Sequence, residues 1–305
     1  MPNTPESRSK PMRDRALNFY IRLGLYFRLM RLHSPIGIWL LLWPTLWALW
    51  IASEGHPTPS VFAVFVLGTV VLRSAGCVIN DLADRKLDSH VQRTADRPIA
   101  SGEVSPIEAL ILFVGLMLIA LGLVMAMNTL TVQLAFVGAA LTVVYPFMKR
   151  LIAAPQLVLG LAFAWGVPMA YAAQTGEVLR PGWLLYLCAL IWVVIYDTEY
   201  AMSDRKDDLK LGIQSTAILF GEMDIAIIAG LQLVLLGGLF LLGKSVELGS
   251  WFLLGLAVAG AFALRQLYLI RRRDPKDCLR AFWNNAWFGG AIFVGILLDY
   301  LFRVD

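Results

Sequence analysis

The chain has 305 residues, of which 58% are hydrophobic and 16% charged, with a net charge of +4. A soluble domain carries about 25% charged residues, so this composition excludes an ordinary soluble enzyme. The small positive balance is too weak and too dispersed to be a footprint for nucleic acid.

The first 20 residues, MPNTPESRSKPMRDRALNFY, read as a basic, disordered tail, and residues 21–305 as a single transmembrane domain. Apolar runs then recur near 24–52, 59–80, 106–127, 129–148, 156–174, 182–202, 223–243, 249–270 and 282–302. As helices, such runs cross a hydrocarbon core about 30 Å thick. They are continuously apolar instead of alternating, which excludes a β-barrel. The expected fold is an all-α polytopic membrane protein with nine transmembrane helices.

Within the first run, Trp39, Trp43, Trp47 and Trp50 form a stripe that reads foremost as packing. Pro35, Pro44, Pro155 and Pro168 mark expected kinks, since membrane helices tolerate proline where neighbours re-satisfy the backbone. Cys77, Cys188 and Cys278 are too scattered for a disulfide framework or a zinc site. His33, His56 and His90 are equally separated, so no histidine metal centre is expected.

Lysine and arginine distribution sets the orientation. Arg8, Lys10, Arg13, Arg15, Arg22, Arg28 and Arg31 cluster at the start of span 1, and the 2–3, 4–5, 6–7 and 8–9 connections are rich in them. The other side receives only Arg180, Lys244 and Arg303. Basic residues stay cytoplasmic. The N-terminus and the long polar connections are therefore expected on the cytoplasmic side.

Two of those connections are strongly acidic. After span 2 comes RSAGCVINDLADRKLDSHVQRTADRPIASG (73–102), and after span 6 comes YDTEYAMSDRKDDLKLGIQSTA (196–217). Four spans separate them, which suggests two four-helix halves plus a ninth helix, a repeat architecture that places sites between halves. Asn80, Asp84 and Asp88 fall at i, i+4, i+8, one stripe of a helix, and Asp197, Tyr200, Asp204 and Asp208 share a face likewise. Asp81 and Asp207 lie beside the stripes.

Stacked carboxylates repel one another, and poor solvation near a bilayer makes this worse. Carboxylate and amide oxygens are hard ligands suited to Mg²⁺, which prefers to share phosphate oxygens with few protein ligands. The natural guest is a magnesium-bound diphosphate. Arg73, Arg97, Lys149 and Arg150, at the cytoplasmic ends of spans, are candidate contacts to its oxygens.

NDLADRKLD resembles the NDxxDxxxD motif of the UbiA-type intramembrane prenyltransferases, and DTEYAMSDRKDD resembles their second motif. SPIGIWLLLWPTLWALW, YPFMKR and LKLGIQSTA are similar to the 4-hydroxybenzoate branch, so the likeness covers nearly everything after the tail. His33–Ser34 stands where the family often has Asp-Lys, a departure at the entrance for the aromatic substrate.

The resemblance implies a central cavity open to lipid and transfer of a polyprenyl group from polyprenyl diphosphate to 4-hydroxybenzoate, a step towards ubiquinone. Carried over by motif, Asn80, Asp84 and Asp88 would hold one Mg²⁺ and Asp204 and Asp208 another, with Asp81 and Asp197 in support. Asp84, Asp88, Asp204 and Asp208 would carry the catalysis. Arg150 matches a basic residue at the substrate pocket, Arg31 is a second candidate for the aromatic carboxylate, and Tyr200 is a further substrate contact. Another aromatic acceptor, or a cation-coupled transporter, remains an alternative. The sequence leaves prenyl chain length and oligomeric state open.

Overall fold

Helices account for every regular element among the described residues, 10–89, 94–148 and 151–303 of the computed structural model, where the side chains of residues 10–19 and of Leu87 are not described. In chain order they are α1 (Lys10–Leu29), α2 (Ile36–Ala52), α3 (Pro59–Asp88), α4 (Pro106–Val124), α5 (Thr129–Met148), α6 (Pro155–Ala164), α7 (Gly166–Thr175), α8 (Arg180–Leu211), α9 (Thr216–Phe220), α10 (Asp224–Ser245), α11 (Ser250–Ile270) and α12 (Pro275–Leu301). Among the described residues eight helical stretches are long and apolar enough to cross a membrane, counting α6–α7 and α9–α10 as one each. The 17-residue α2 is the ninth apolar helix, at the short end of what spans a bilayer.

The run at 24–52 is not one helix. It breaks into α1 and α2 across Met30–Pro35, because Arg31 adopts a left-handed backbone (φ +54°) and Pro35 bars helix at the residue before it. Helix α1 begins at Lys10, inside the stretch assigned to the tail; residues 1–9 lie outside the described residues. It docks on α3 and α4 by burying Leu29 against Ala75, Val78 and Phe113. Glu108 of α4 anchors it, accepting from Tyr26 Oη at 2.5 Å and from Arg22 at 3.2 Å. Glu108 also completes a capping box with Ser105, which starts α4.

A second break divides α6 from α7. Pro168 has no N–H to bond the Ala164 carbonyl, where α6 ends. Pro35 precedes α2, Pro155 opens α6 and Pro44 lies inside α2.

The centre is an aromatic stack on α2, α8 and α12. Trp47 and Trp192 lie 5.2 Å apart between ring centroids, and Trp192 and Phe288 5.6 Å. Their indoles are satisfied: Trp47 Nε1 donates to the Gly289 carbonyl (3.1 Å) and Trp192 Nε1 to Asn285 Oδ1 (2.8 Å). Asn285 in turn donates to Glu199 at 2.8 Å, coupling α12 to the second motif helix. The α11–α12 seam is closer still. A Cβ on Gly255 would meet the Ala291 carbonyl oxygen at 2.7 Å, the small-residue packing expected where lipid supplies no hydrophobic drive between helices.

Helices α3 and α8 have 30 and 32 residues. At 1.5 Å per residue they run about 45–48 Å, some 15 Å more than a hydrocarbon core needs. That surplus, at the C-terminal end of each, is what carries the acidic stripes out of the oil.

Candidate active site

The two stripes meet. Asn80, Asp81, Asp84 and Asp88 of α3 and Asp197, Tyr200, Asp204 and Asp208 of α8 all line one cavity of about 930 Å³. Arg31, Arg73 and Arg97 line it as well. Every one of the sequence candidates within the described residues is therefore brought to one place. Lys149 and Arg150 lie outside the described residues, as does His90.

Asp81, beside its stripe by helical spacing, is the most buried of the acids lining the cavity, at 2% exposure. Its Oδ1 accepts from Arg31 Nη2 at 2.6 Å and from Arg97 Nη1 at 3.0 Å. Arg97 Nη1 also donates to Asp88 Oδ2 at 2.8 Å. The α3–α4 connection makes this possible: the Thr94 hydroxyl donates to the Asp88 carbonyl (3.0 Å), and the Thr94 carbonyl accepts the Arg97 N–H (3.1 Å). The chain folds back and lays Arg97 across the stripe. In this structure Arg31 and Arg97 are counter-ions of the first acidic stripe, a role that helical spacing alone did not reveal.

Arg73 is held differently. Its guanidinium passes so close to Gly37 that a Cβ there would lie 2.1 Å from Nε, and Nη1 donates to Cys77 Sγ. Its Nε is buried without a hydrogen-bond partner, and so is the Tyr196 hydroxyl, which lines the same cavity. Buried polar atoms are rarely left unpaired. Two such groups on residues that line one cavity point to a polar guest.

The electrostatics point to a positive one besides. Among the described residues eight aspartates and four arginines line the cavity. Burial pushes the Asp88 carboxyl above the usual aspartate range; Arg97 pulls it back, and Asp81 and Asp84 push it up further. Burial weakens the charge on Arg31, but Asp81 beside it outweighs this and holds its proton more firmly than usual. The cluster is short of positive charge. Among the described residues no three acidic, histidine or cysteine side chains close to metal-ligand geometry. The two stripes nonetheless offer only hard oxygen donors, which suit Mg²⁺ bound jointly with a phosphate.

Away from this polar end the walls are apolar, supplied by Leu40 and Phe65, Phe113 and Leu118, and Phe136 and Phe163. Leu118 of α4 and Phe136 of α5 line the cavity and are 62% and 63% exposed. The cavity thus opens sideways between α4 and α5, towards lipid. None of Trp39, Trp43, Trp47 and Trp50 lines it: Trp43 and Trp50 pack on Phe293 and Trp47 on Trp192, so the tryptophan stripe is structural. Near the polar end the aromatic lining includes Tyr145, Trp165, Tyr196 and Phe282, of which Trp165 and Phe282 sit in apolar runs with no local signal.

Comparison with known proteins agrees with this arrangement. The UbiA prenyltransferase family model matches residues 41–289. A 4-hydroxybenzoate octaprenyltransferase of Methylococcus capsulatus is 55% identical over 280 residues, 92% of this chain and 96% of that one. Another from Alkalilimnicola ehrlichii is 56% identical over 288 residues, 94% and 96% respectively. Among solved structures, a UbiA homologue from Aeropyrum pernix K1 superposes with a TM-score of 0.75 at 24% identity, covering 86% of this chain and 97% of that one. One from Archaeoglobus fulgidus bound to GPP and Mg²⁺ gives 0.66 at 20% identity, over 88% and 99%. At those identities the structures bear on the fold alone. The match across most of the chain, with relatives more than half identical over nine-tenths of it, makes this chain a member of the UbiA prenyltransferase family.

Proposed function

We propose that the chain transfers a polyprenyl group from polyprenyl diphosphate to the ring carbon ortho to the phenol of 4-hydroxybenzoate, in the bacterial inner membrane with its acidic end facing the cytoplasm. The observation that carries this reading is the single cavity with one acidic end and a lateral apolar mouth. Diphosphate is polar and comes from water; an isoprenoid tail belongs in oil. The names of relatives 50–56% identical over nearly the whole chain supply the acceptor.

Asn80, Asp84 and Asp88 would hold one Mg²⁺, and Asp204 and Asp208 a second, with Asp81 and Asp197 in support. Bound there with substrate, Mg²⁺ neutralises charge on the departing diphosphate. Arg73, whose side chain lines the cavity, is the candidate donor to the same anion. Arg31 and Arg97 pair with Asp81 and Asp88 and hold them in place. The apolar walls hold the allylic carbon away from water as its bond to oxygen breaks and the electron pair leaves with diphosphate. The phenol ring, its ortho carbon directed at that allylic carbon, then forms the C–C bond and gives up the ring proton. Tyr200, Lys149 and Arg150 complete the substrate contacts in this reading.

The experiment is a panel of acceptors. Purified protein in liposomes with labelled prenyl diphosphate and Mg²⁺ is expected to prenylate 4-hydroxybenzoate in preference to naphthoate or homogentisate. Preference for another aromatic would replace the acceptor, and solute flux without any prenylated product would replace the reaction class.

A further inference from the structure

A second cavity, of about 700 Å³, lies between α11 and α12. Phe262, Arg265 and Leu269 of α11 face Arg280, Trp283, Asn284 and Trp287 of α12 across it. Its polar groups are two guanidiniums, two indole N–H groups and one carboxamide; no carboxylate lines it. Arg265 pairs with no acid among the described residues, and Arg280, itself largely exposed, pairs at 2.8 Å only with Asp277, an i,i+3 contact of small worth.

The carboxamide is already half used. Asn284, 7% exposed, ends a chain of buried amides in which Gln232 Nε2 donates to Gln266 Oε1 (2.9 Å) and Gln266 Nε2 to Asn284 Oδ1 (3.3 Å). With Oδ1 engaged from inside the bundle, its NH₂ is the end left for the cavity. Everything polar that faces the groove therefore donates.

The layering identifies the occupant. Arg265 and Arg280 each lie five residues from the α11–α12 corner, about 7.5 Å along their helices, while Trp283 and Trp287 lie about 12 and 18 Å from the start of α12. This corner is at the same end of the bundle as the acidic stripes, because its Arg273 and Arg205 of α8 share Asp224. Positive charge at the membrane edge, indoles just below and an apolar floor match the phosphate, ester and acyl segments of a lipid in order. We propose that this groove binds an anionic phospholipid, its phosphate between Arg265 and Arg280, its ester oxygens accepting from Asn284, and its acyl carbons along Trp283 and Trp287. Trp283 also lines the larger cavity. The bound lipid packs on the outer side of a ring that walls the prenyl site, and the assignment stands whether or not the prenyl acceptor is the one named above.

The test is native mass spectrometry of the full chain released from bilayers of equal phosphatidylglycerol and phosphatidylcholine. The wild type is expected to retain one phosphatidylglycerol in preference to phosphatidylcholine. Arg265→Ala with Arg280→Ala is expected to lower that retention about thirtyfold, from the usual contribution of a basic side chain at an anionic surface. Arg272→Ala, an exposed arginine at the same corner but outside the groove, is expected to leave it unchanged. Equal retention by the double variant, or an equal loss in Arg272→Ala, would overturn the site. Displacement of the lipid by geranyl diphosphate would assign the groove to the substrate's head group and overturn it as well.

Discussion

Asp224 opens α10 with its side chain fully buried, and two arginines converge on it. Arg205 Nη2 donates to Oδ2, while Arg273 donates through Nε at 3.2 Å and Nη2 at 3.0 Å. Arg205 sits on α8 between Asp204 and Asp208, and Arg273 sits in the α11–α12 turn, so one carboxylate joins three parts of the bundle beside the second acidic stripe. Removing one partner of a buried ion pair costs about 3–5 kcal/mol because the remaining charge is stranded. Here the arginine side chains are 19% and 32% exposed and regain some water. The expected cost of Asp224→Ala is therefore at the low end, about 3 kcal/mol. For a chain of this size that lowers the unfolding midpoint by about 6 °C. Asp224→Asn keeps acceptor geometry without charge and should lose roughly half as much. Tryptophan fluorescence during heating in detergent reads the shift, and the Mg²⁺ concentration for half-maximal turnover should rise with it. Midpoints within 1 °C of the wild type in both variants, by about the precision of such scans, together with an unchanged Mg²⁺ response, would refute the reasoning.

Three other predictions concern the cavity. Chelating divalent metal should abolish prenyl transfer, and adding Mg²⁺ back should restore it; turnover that persists in chelator contradicts the metal assignment. Arg97→Ala strips the shared counter-ion from Asp81 and Asp88, so the variant should unfold earlier without Mg²⁺ and gain more than the wild type when Mg²⁺ is added. Equal gains would show that Arg97 is not balancing that charge. Leu118→Trp narrows the mouth between α4 and α5 and should lower kcat/KM for a long prenyl diphosphate more than for geranyl diphosphate, read by parallel rate measurements. An equal effect on both lengths would place the tail elsewhere.

How far the sequence reached follows from what each signal is. The spans were legible because hydropathy is averaged over a membrane thickness, and the stripes because i, i+4 spacing is local. Breaks inside apolar runs were not. Pro35 and Pro168 signal kinks, but a proline does not say whether a helix bends or ends, so the 24–52 and 156–174 runs each read as one span. The partners of the acids were also out of reach. Arg31 lies 50 residues from Asp81, and Asn285 lies 86 from Glu199. Asp224 follows Glu222 at the start of an apolar run, where an acid reads as an ordinary helix N-terminus, and both its partners are distant in sequence. Arg97 was singled out as a phosphate contact because it flanks the acidic loop; only the turn at Thr94 shows that it folds back onto Asp81 and Asp88.

The central claim is that α3 and α8 hold one metal–diphosphate between them. Equilibrium binding of a prenyl thiolodiphosphate, which resists ionisation, tests it without depending on turnover. With Mg²⁺ the wild type should bind it, and Asp84→Ala and Asp208→Ala should each lose most of that binding while still inserting into membranes. Without Mg²⁺ all three should bind weakly and alike. Mg²⁺-dependent binding that survives in either variant would mean that the two stripes do not form one site.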